Sequence, residues 1–308
     1  NRVEATWLKA NQLTKAYADA TEGVTYIDLY DKLAGVANGG AWSYDNLHLT
    51  AGAYQVWAST ICQYLEEDED YTVSCVYPEN TLTVQNAGGL GGSHGMRATY
   101  FSCLPIKSND VLVFGDAFVK NGEWQEFFGN PNVKNRGTGW NNSGDIATTS
   151  KIVDATYATV EGVAKADAKA IFLYTGTADC TGSTDIATVK TNYKALVDKI
   201  ADKSPTSKIY LMAICPRNNA NHNTRIAELN AYMESLKSDK IRFVDTYSPM
   251  LNDGSVNSKY VFSNDYIGGL AYVKIANLMK TALLADFPGD TYNVTSEADA
   301  EVRYAQAG

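Results

Sequence analysis

The stretch DVLVFG, residues 110–115, is a short continuous apolar run bounded by an aspartate and a glycine. Such a run reads as a strand buried on both faces, because a half-exposed strand would alternate apolar and polar residues. Similar runs recur downstream: NVKNRG (132–137), KAIFLYTG (169–176), SKIYLMAI (207–214) and KIRFVD (240–245), with amphipathic segments between them. The clearest of these segments follows Asp185. It places Ile186, Val189, Tyr193, Leu196, Val197 and Ile200 on one helical face, with Thr184 or Asp185 as its cap. Buried strands alternating with helices predict an α/β fold whose mostly parallel sheet is covered on both faces. Ligands of such sheets bind at the carboxyl ends of the strands, so chemistry is expected in the loops after Gly115, Gly137, Gly176 and Asp245.

Bulk properties narrow the function classes. The chain has 308 residues, is 45% hydrophobic and can bury a substantial core. A formal charge of -9 and a pI near 4.9 argue against nucleic-acid or anionic-membrane partners, which would repel it. No window approaches the roughly 18 consecutive apolar residues of a membrane span. Cys62, Cys75, Cys103, Cys180 and Cys215 show neither a CxxC motif nor Cys/His ligand spacing, so no metal site is expected. Cys180 and Cys215 follow apolar runs and read as small buried residues. Cys75 and Cys103 could pair in an oxidising compartment. The compartment is left open, with a secreted or periplasmic location favoured if a signal peptide precedes Asn1.

The first 68 residues repeat the end of the later pattern. An amphipathic N-terminal helix, the expected strand GVTYIDLY (23–30), a loop and a helix holding Tyr54, Trp57 and Ile61 follow one another. TYIDLY pairs with RFVDTY, so Asp28 matches Asp245, and Tyr54 matches Tyr272 at nearly the same offset. The expected organisation is therefore the C-terminal part of a first unit (1–68), a linker and lead-in containing EEDED and NAGGLGGSHG (69–106), a whole unit (107–287) and a tail lacking apolar periodicity (288–308).

Three stretches together carry a family resemblance. LPIKSNDVLVFGDAFVKNGEWQEFFGNPNVKNRG (104–137) resembles the opening of the SGNH, or GDSL-type, hydrolases, in the branch of platelet-activating-factor acetylhydrolase and bacterial acyl or carbohydrate esterases. IFLYTGTAD (171–179) is similar to that family's third block, and YDNLHLTAGAY (44–54) to its last. The resemblance implies a flavodoxin-like three-layer α/β/α sandwich, a serine-esterase site at the strand ends, a small-molecule or carbohydrate ester as substrate, and no cofactor. It also implies a mechanism in which a serine attacks the ester. That serine's N–H, a glycine N–H and an asparagine side chain hold the oxyanion, while Asp-x-x-His supplies orienter and base.

Carried onto this sequence, the pattern is broken. The nucleophile position is Ala117, which cannot attack. The second-block glycine falls on Trp140, or on Gly139 with one residue deleted, and the asparagine position is Ala178, followed by Asp179. Counting back from Tyr272, Ser263 stands for the aspartate and Tyr266 for the histidine, with Asp265 the nearest carboxylate. His222, after RNNAN, reads as a surface residue. The dyad survives only as Asp45 and His48 of the first unit, without a nucleophile. GGSHG (91–95) fits the G-x-S-x-G elbow around Ser93, but no strand runs into it and no clear helix follows, so it reads as a flexible loop. The expectation is a tandem acylhydrolase with a degenerate second copy, its pocket made shallow by Trp140 and Tyr266. The other reading is a non-catalytic carbohydrate-binding or scaffolding module, with Trp140, Tyr174 and Tyr266 stacking on sugar rings.

Overall fold

The computed structural model describes residues 2–34, 49–64, 90, 92–139, 144–158, 165–263 and 266–307. The chain divides into two units, Asn1–Gln85 and Asn86–Gly308.

In the first unit, α1 (Arg2–Asp19) is the expected N-terminal helix, with Lys15 and Asp19 paired at 2.8 Å. Residues 24–28 form no strand; instead the Asp28 carboxylate accepts the Asp31 N–H at 3.0 Å and opens α2 (Leu29–Ala34). A lone strand needs a neighbour for its backbone groups, whereas a capped turn satisfies them locally. α3 (Ala51–Cys62) is capped by Thr50, whose hydroxyl accepts the Ala53 N–H, and stacks Tyr54 on Trp57 with centroids 5.6 Å apart.

In the second unit all five apolar runs become strands of one parallel sheet: β1 (Val111–Gly115), β2 (Val133–Gly137), β3 (Ala170–Tyr174), β4 (Lys208–Met212) and β5 (Ile241–Val244), ordered β2-β1-β3-β4-β5. β1 and β3 are buried at every position, as continuous apolar runs require. The helices between and around them are α4 (Gly92–Cys103), α5 (Ala117–Lys120), α6 (Trp124–Phe128), α7 (Asp145–Thr156), α8 (Thr177–Thr181), α9 (Ile186–Lys203), α10 (Ala220–Ser235), α11 (Gly269–Asp286) and α12 (Glu297–Ala307). α9 is capped by the Asp185 carboxylate, which accepts the Ala187 and Thr188 N–H groups at 3.0 and 3.2 Å. It buries Val189, Tyr193, Leu196, Val197 and Ile200. Two short antiparallel pairs, β6–β7 (Leu251–Asn252, Ser255–Val256) and β8–β9 (Val261–Ser263, Tyr266–Ile267), precede α11.

One segment of the second unit differs from the sequence reading. GGSHG does not end in a loop: α4 starts at Gly92 and packs on α7, with Ala98 and Phe101 buried in the core. Glycine-rich composition hid an apolar pair at helical spacing. The tail is a short extension: α12 packs on α11, Lys274 pairs with Glu297 at 2.9 Å, and Tyr292 is buried against Phe128.

Candidate active site

β1, β2 and β3 end in register, with Gly115 opposite both Gly137 and Tyr174. The Asp116 N–H donates to the Tyr174 carbonyl at 3.2 Å, an approach so close that a Cβ on Gly115 would lie 1.9 Å from that oxygen. The chain then turns sharply into α5, capped by Asp116, whose Oδ1 accepts the Phe118 N–H at 2.9 Å. Asn135 holds the far end of α5: its Nδ2 donates to the carbonyls of Val119, Lys120 and Gly122 at 2.8–3.2 Å. Ala117 therefore stands at the corner where a strand-end nucleophile would be presented.

A second clamp lies beside it. The Asp145 carboxyl accepts the Ala178 N–H at 2.5 Å, and the Asp179 carboxyl accepts the Ile146 N–H at 3.1 Å, so α7 and α8 cap one another. The exchange requires the backbone at Gly144 to run at φ 91°, with a would-be Cβ 2.7 Å from Asp179 Oδ1. Gly139 has a different neighbour, His94: a Cβ there would lie 3.2 Å from the imidazole Cε1, and His94 Nδ1 is 2.8 Å from Thr138 Oγ1. Gly144, not Gly139, is thus the glycine packed against Asp179.

A cavity of about 140 Å³ opens at these strand ends. Asp116, Asn121, Asp145, Thr177 and Arg217 supply its polar lining, while Ala117, Phe118, Tyr174, Tyr266 and Tyr272 supply most of the rest. Phe118 stacks on Tyr272 at 4.6 Å and tilts against Tyr174 at 4.2 Å. The two tyrosine hydroxyls are already engaged, Tyr272 donating to the Phe118 carbonyl and Tyr174 accepting the Cys215 N–H. Tyr266 is more than half exposed, so its ring edges the cavity instead of filling it as the sequence suggested. The cavity is nonetheless smaller than the roughly 300 Å³ at which ordinary ligand pockets begin.

Its electrostatics are set by burial. Asp116 and Asp145 are each 3% exposed. Burial first, and then the Asp116 charge, pushes Asp145 up to about 9. Burial likewise raises Asp116, opposed by the Phe118 N–H, then by the Thr177 hydroxyl and the Asp145 carboxyl, and last by the Arg217 charge. At neutral pH Asp145 is a neutral carboxyl beside Asp116. Asp116 Oδ2, Thr177 Oγ1, and Nε and Nη1 of Arg217 are shielded and have no hydrogen-bond partner.

Residues 119–267 match the profile of the GDSL-like lipase/acylhydrolase family. The GDSL-like lipase/acylhydrolase match thus lies within the second unit, over β2 to β5 but not β1. The structure of a protein assigned as a platelet activating factor in Streptococcus pneumonia is similar, at 20% identity and a TM-score of 0.51, over 62% of this chain and 92% of that one. A GDSL-like lipase of Bacteroides thetaiotaomicron aligns at 18% identity and 0.48, over 63% of this chain and 98% of that one. None of the curated proteins compared with the chain matches it. The first of these likenesses agrees with the α/β fold and parallel sheet of the acylhydrolase domain.

Several expected site residues are brought together. Ala117 and Tyr266 line the cavity, and Ala178 gives its N–H to Asp145. Asp45, His48, Trp140 and Asp265, like the side chains of Ser263 and Ser93, lie outside the described residues and atoms. His222 is half-buried on the first turn of α10. Among the described residues, no three His, Cys, Asp or Glu side chains are placed to hold a metal, and no helix is long and apolar enough to cross a membrane. Asp145 and Arg217 escaped sequence reasoning. Arg217 carried a usable signal, a lone cation just beyond the run SKIYLMAI, at the carboxyl end of β4.

Proposed function

We propose that this acylhydrolase domain is catalytically silent and binds a small ligand at its strand ends without cleaving it. The observation supporting this most directly is the Ala117 methyl group, which lines the cavity at the corner where the resembling hydrolases carry serine. A methyl offers no electron pair to a carbonyl carbon. Ala178 likewise lacks the amide that would hold an oxyanion, and the phenol of Tyr266 stands where an imidazole base is needed. The purified chain should hydrolyse p-nitrophenyl acetate no faster than buffer. Turnover abolished by one substitution within 86–308 would overturn the proposal.

A second reading concerns Asn1–Gln85. Tyr54 is the fourth residue of α3 and Tyr272 the fourth of α11, a placement that favours the repeat. On this reading Asp45 and His48 are the residual dyad of an esterase acting on acetylated sugars or lipids, inert without serine, glycine and asparagine blocks. Joining an upstream fragment that carries a GDS-type block should then give an esterase that His48→Ala inactivates. Activity indifferent to that change would rule the dyad out.

A further inference from the structure

Arg217 is held by its backbone: the Asn223 side chain accepts its N–H at 2.7 Å and donates to its carbonyl at 2.6 Å. Its guanidinium has no such partner. Among the described residues, its Nε and Nη1 are shielded and make no hydrogen bond, and no carboxylate forms an ion pair with it. Donors shielded from solvent are costly to leave unmatched, so an acceptor is expected from the cavity that Arg217 lines. Thr177 Oγ1, 3% exposed, adds a second hydrogen-bonding group on the same lining, beside the Asp116 carboxylate.

We infer that Arg217 anchors the carboxylate of a small monocarboxylic acid in the strand-end cavity, with the acid's hydrocarbon body against the rings of Phe118, Tyr174 and Tyr272. The inference rests on the non-hydrolysing reading above. Charge selects a monoanion: Asp145 is held neutral, so one cation faces at most one carboxylate, Asp116, and a phosphate dianion would add repulsion to that acid. Shape selects a fork-accepting planar group, which a guanidinium binds through paired N–H bonds. Size limits the body. A cavity of about 140 Å³ is close to the roughly 150 Å³ that holds a benzene ring, so about six heavy atoms fit, the scale of butyrate.

Titration calorimetry of the full chain with butyrate, acetate, inorganic phosphate and butyramide tests this. Butyrate should bind saturably and more tightly than acetate, while phosphate and the neutral amide should not saturate. Arg217→Gln should weaken butyrate about tenfold or more, as loss of a charge-assisted bond implies. Thr177→Val, which keeps the cation, should weaken it less; thermal melts establish that each variant is folded. Equal binding of butyramide or phosphate, or butyrate affinity indifferent to both substitutions, would overturn the inference. Ethyl butyrate assayed on the same sample separates the two claims. Hydrolysis there refutes the silent reading, whereas no hydrolysis and no butyrate binding refutes the carboxylate site alone.

Discussion

Replacing Gly144 with alanine should cost the second unit about 3 kcal/mol or more, and the sum can be assembled from its parts. An L-residue at φ 91° is strained by about 1–2 kcal/mol. The new methyl would also sit 2.7 Å from Asp179 Oδ1, well inside ordinary contact. Asp179 is buried and its other oxygen accepts the Ile146 N–H at 3.1 Å, so clearing the clash means giving up that bond, worth about 1.5–3 kcal/mol when the acceptor is charged. At about 2–4 °C per kcal/mol for a unit of this size, thermal melts should fall by roughly 6–12 °C. A double-mutant cycle isolates the clash. In an Asp179→Ala background Gly144→Ala should cost only its backbone strain, leaving a coupling of about 1.5–3 kcal/mol. An equal loss in both backgrounds, or a shift below about 2 °C in the native one, would refute the mutual capping of α7 and α8.

Asp145 holds a proton in the folded protein up to about pH 9 that its unfolded form releases near the ordinary aspartate value, about 3.9. The stability it contributes is therefore complete below about pH 4 and drains away as pH rises towards 9, at no more than about 1.4 kcal/mol per pH unit. Asp145→Asn should flatten that slope in urea titrations at pH 5, 7 and 8.5; parallel slopes would show that the proton is elsewhere. Ala117→Ser alone should recover no measurable esterase rate, because a serine without base and amide donor acts alone where three groups act as a unit. Phe101→Ala should cost about 3–5 kcal/mol, since the ring is 3% exposed and has the guanidiniums of Arg97 and Arg136 5.0 and 5.1 Å from its centroid. A loss under about 1 kcal/mol would mean that α4 is not part of this core.

The sheet was legible because its signal is local. DVLVFG and KAIFLYTG are apolar at nearly every position, and a strand buried on both faces leaves no other trace. The placing of Ala117 beside the strand end was legible too, since it follows β1 by only two residues. Gly144 was not. The four residues after Gly139 shift the spacing, and only the contact with Asp179 across the sheet end reveals which glycine matters. GVTYIDLY failed for the opposite reason: its strand pattern is clear, but hydrogen-bonding neighbours decide whether a strand forms, and Asp28 caps a helical turn instead. Arg217 and Asp145 acquire significance only through burial, which one-dimensional spacing does not encode.

The corner at Gly115 has a genetic consequence. Its backbone is set by the close pass of Tyr174, by the Asp116 cap and by Asn135 gripping the end of α5, and none of these contacts involves the side chain at residue 117. Serine and alanine codons can differ by a single base. A lineage with an otherwise complete site could therefore fall silent in one step and keep its fold, whereas here the single reversal would restore the hydroxyl and not the reaction.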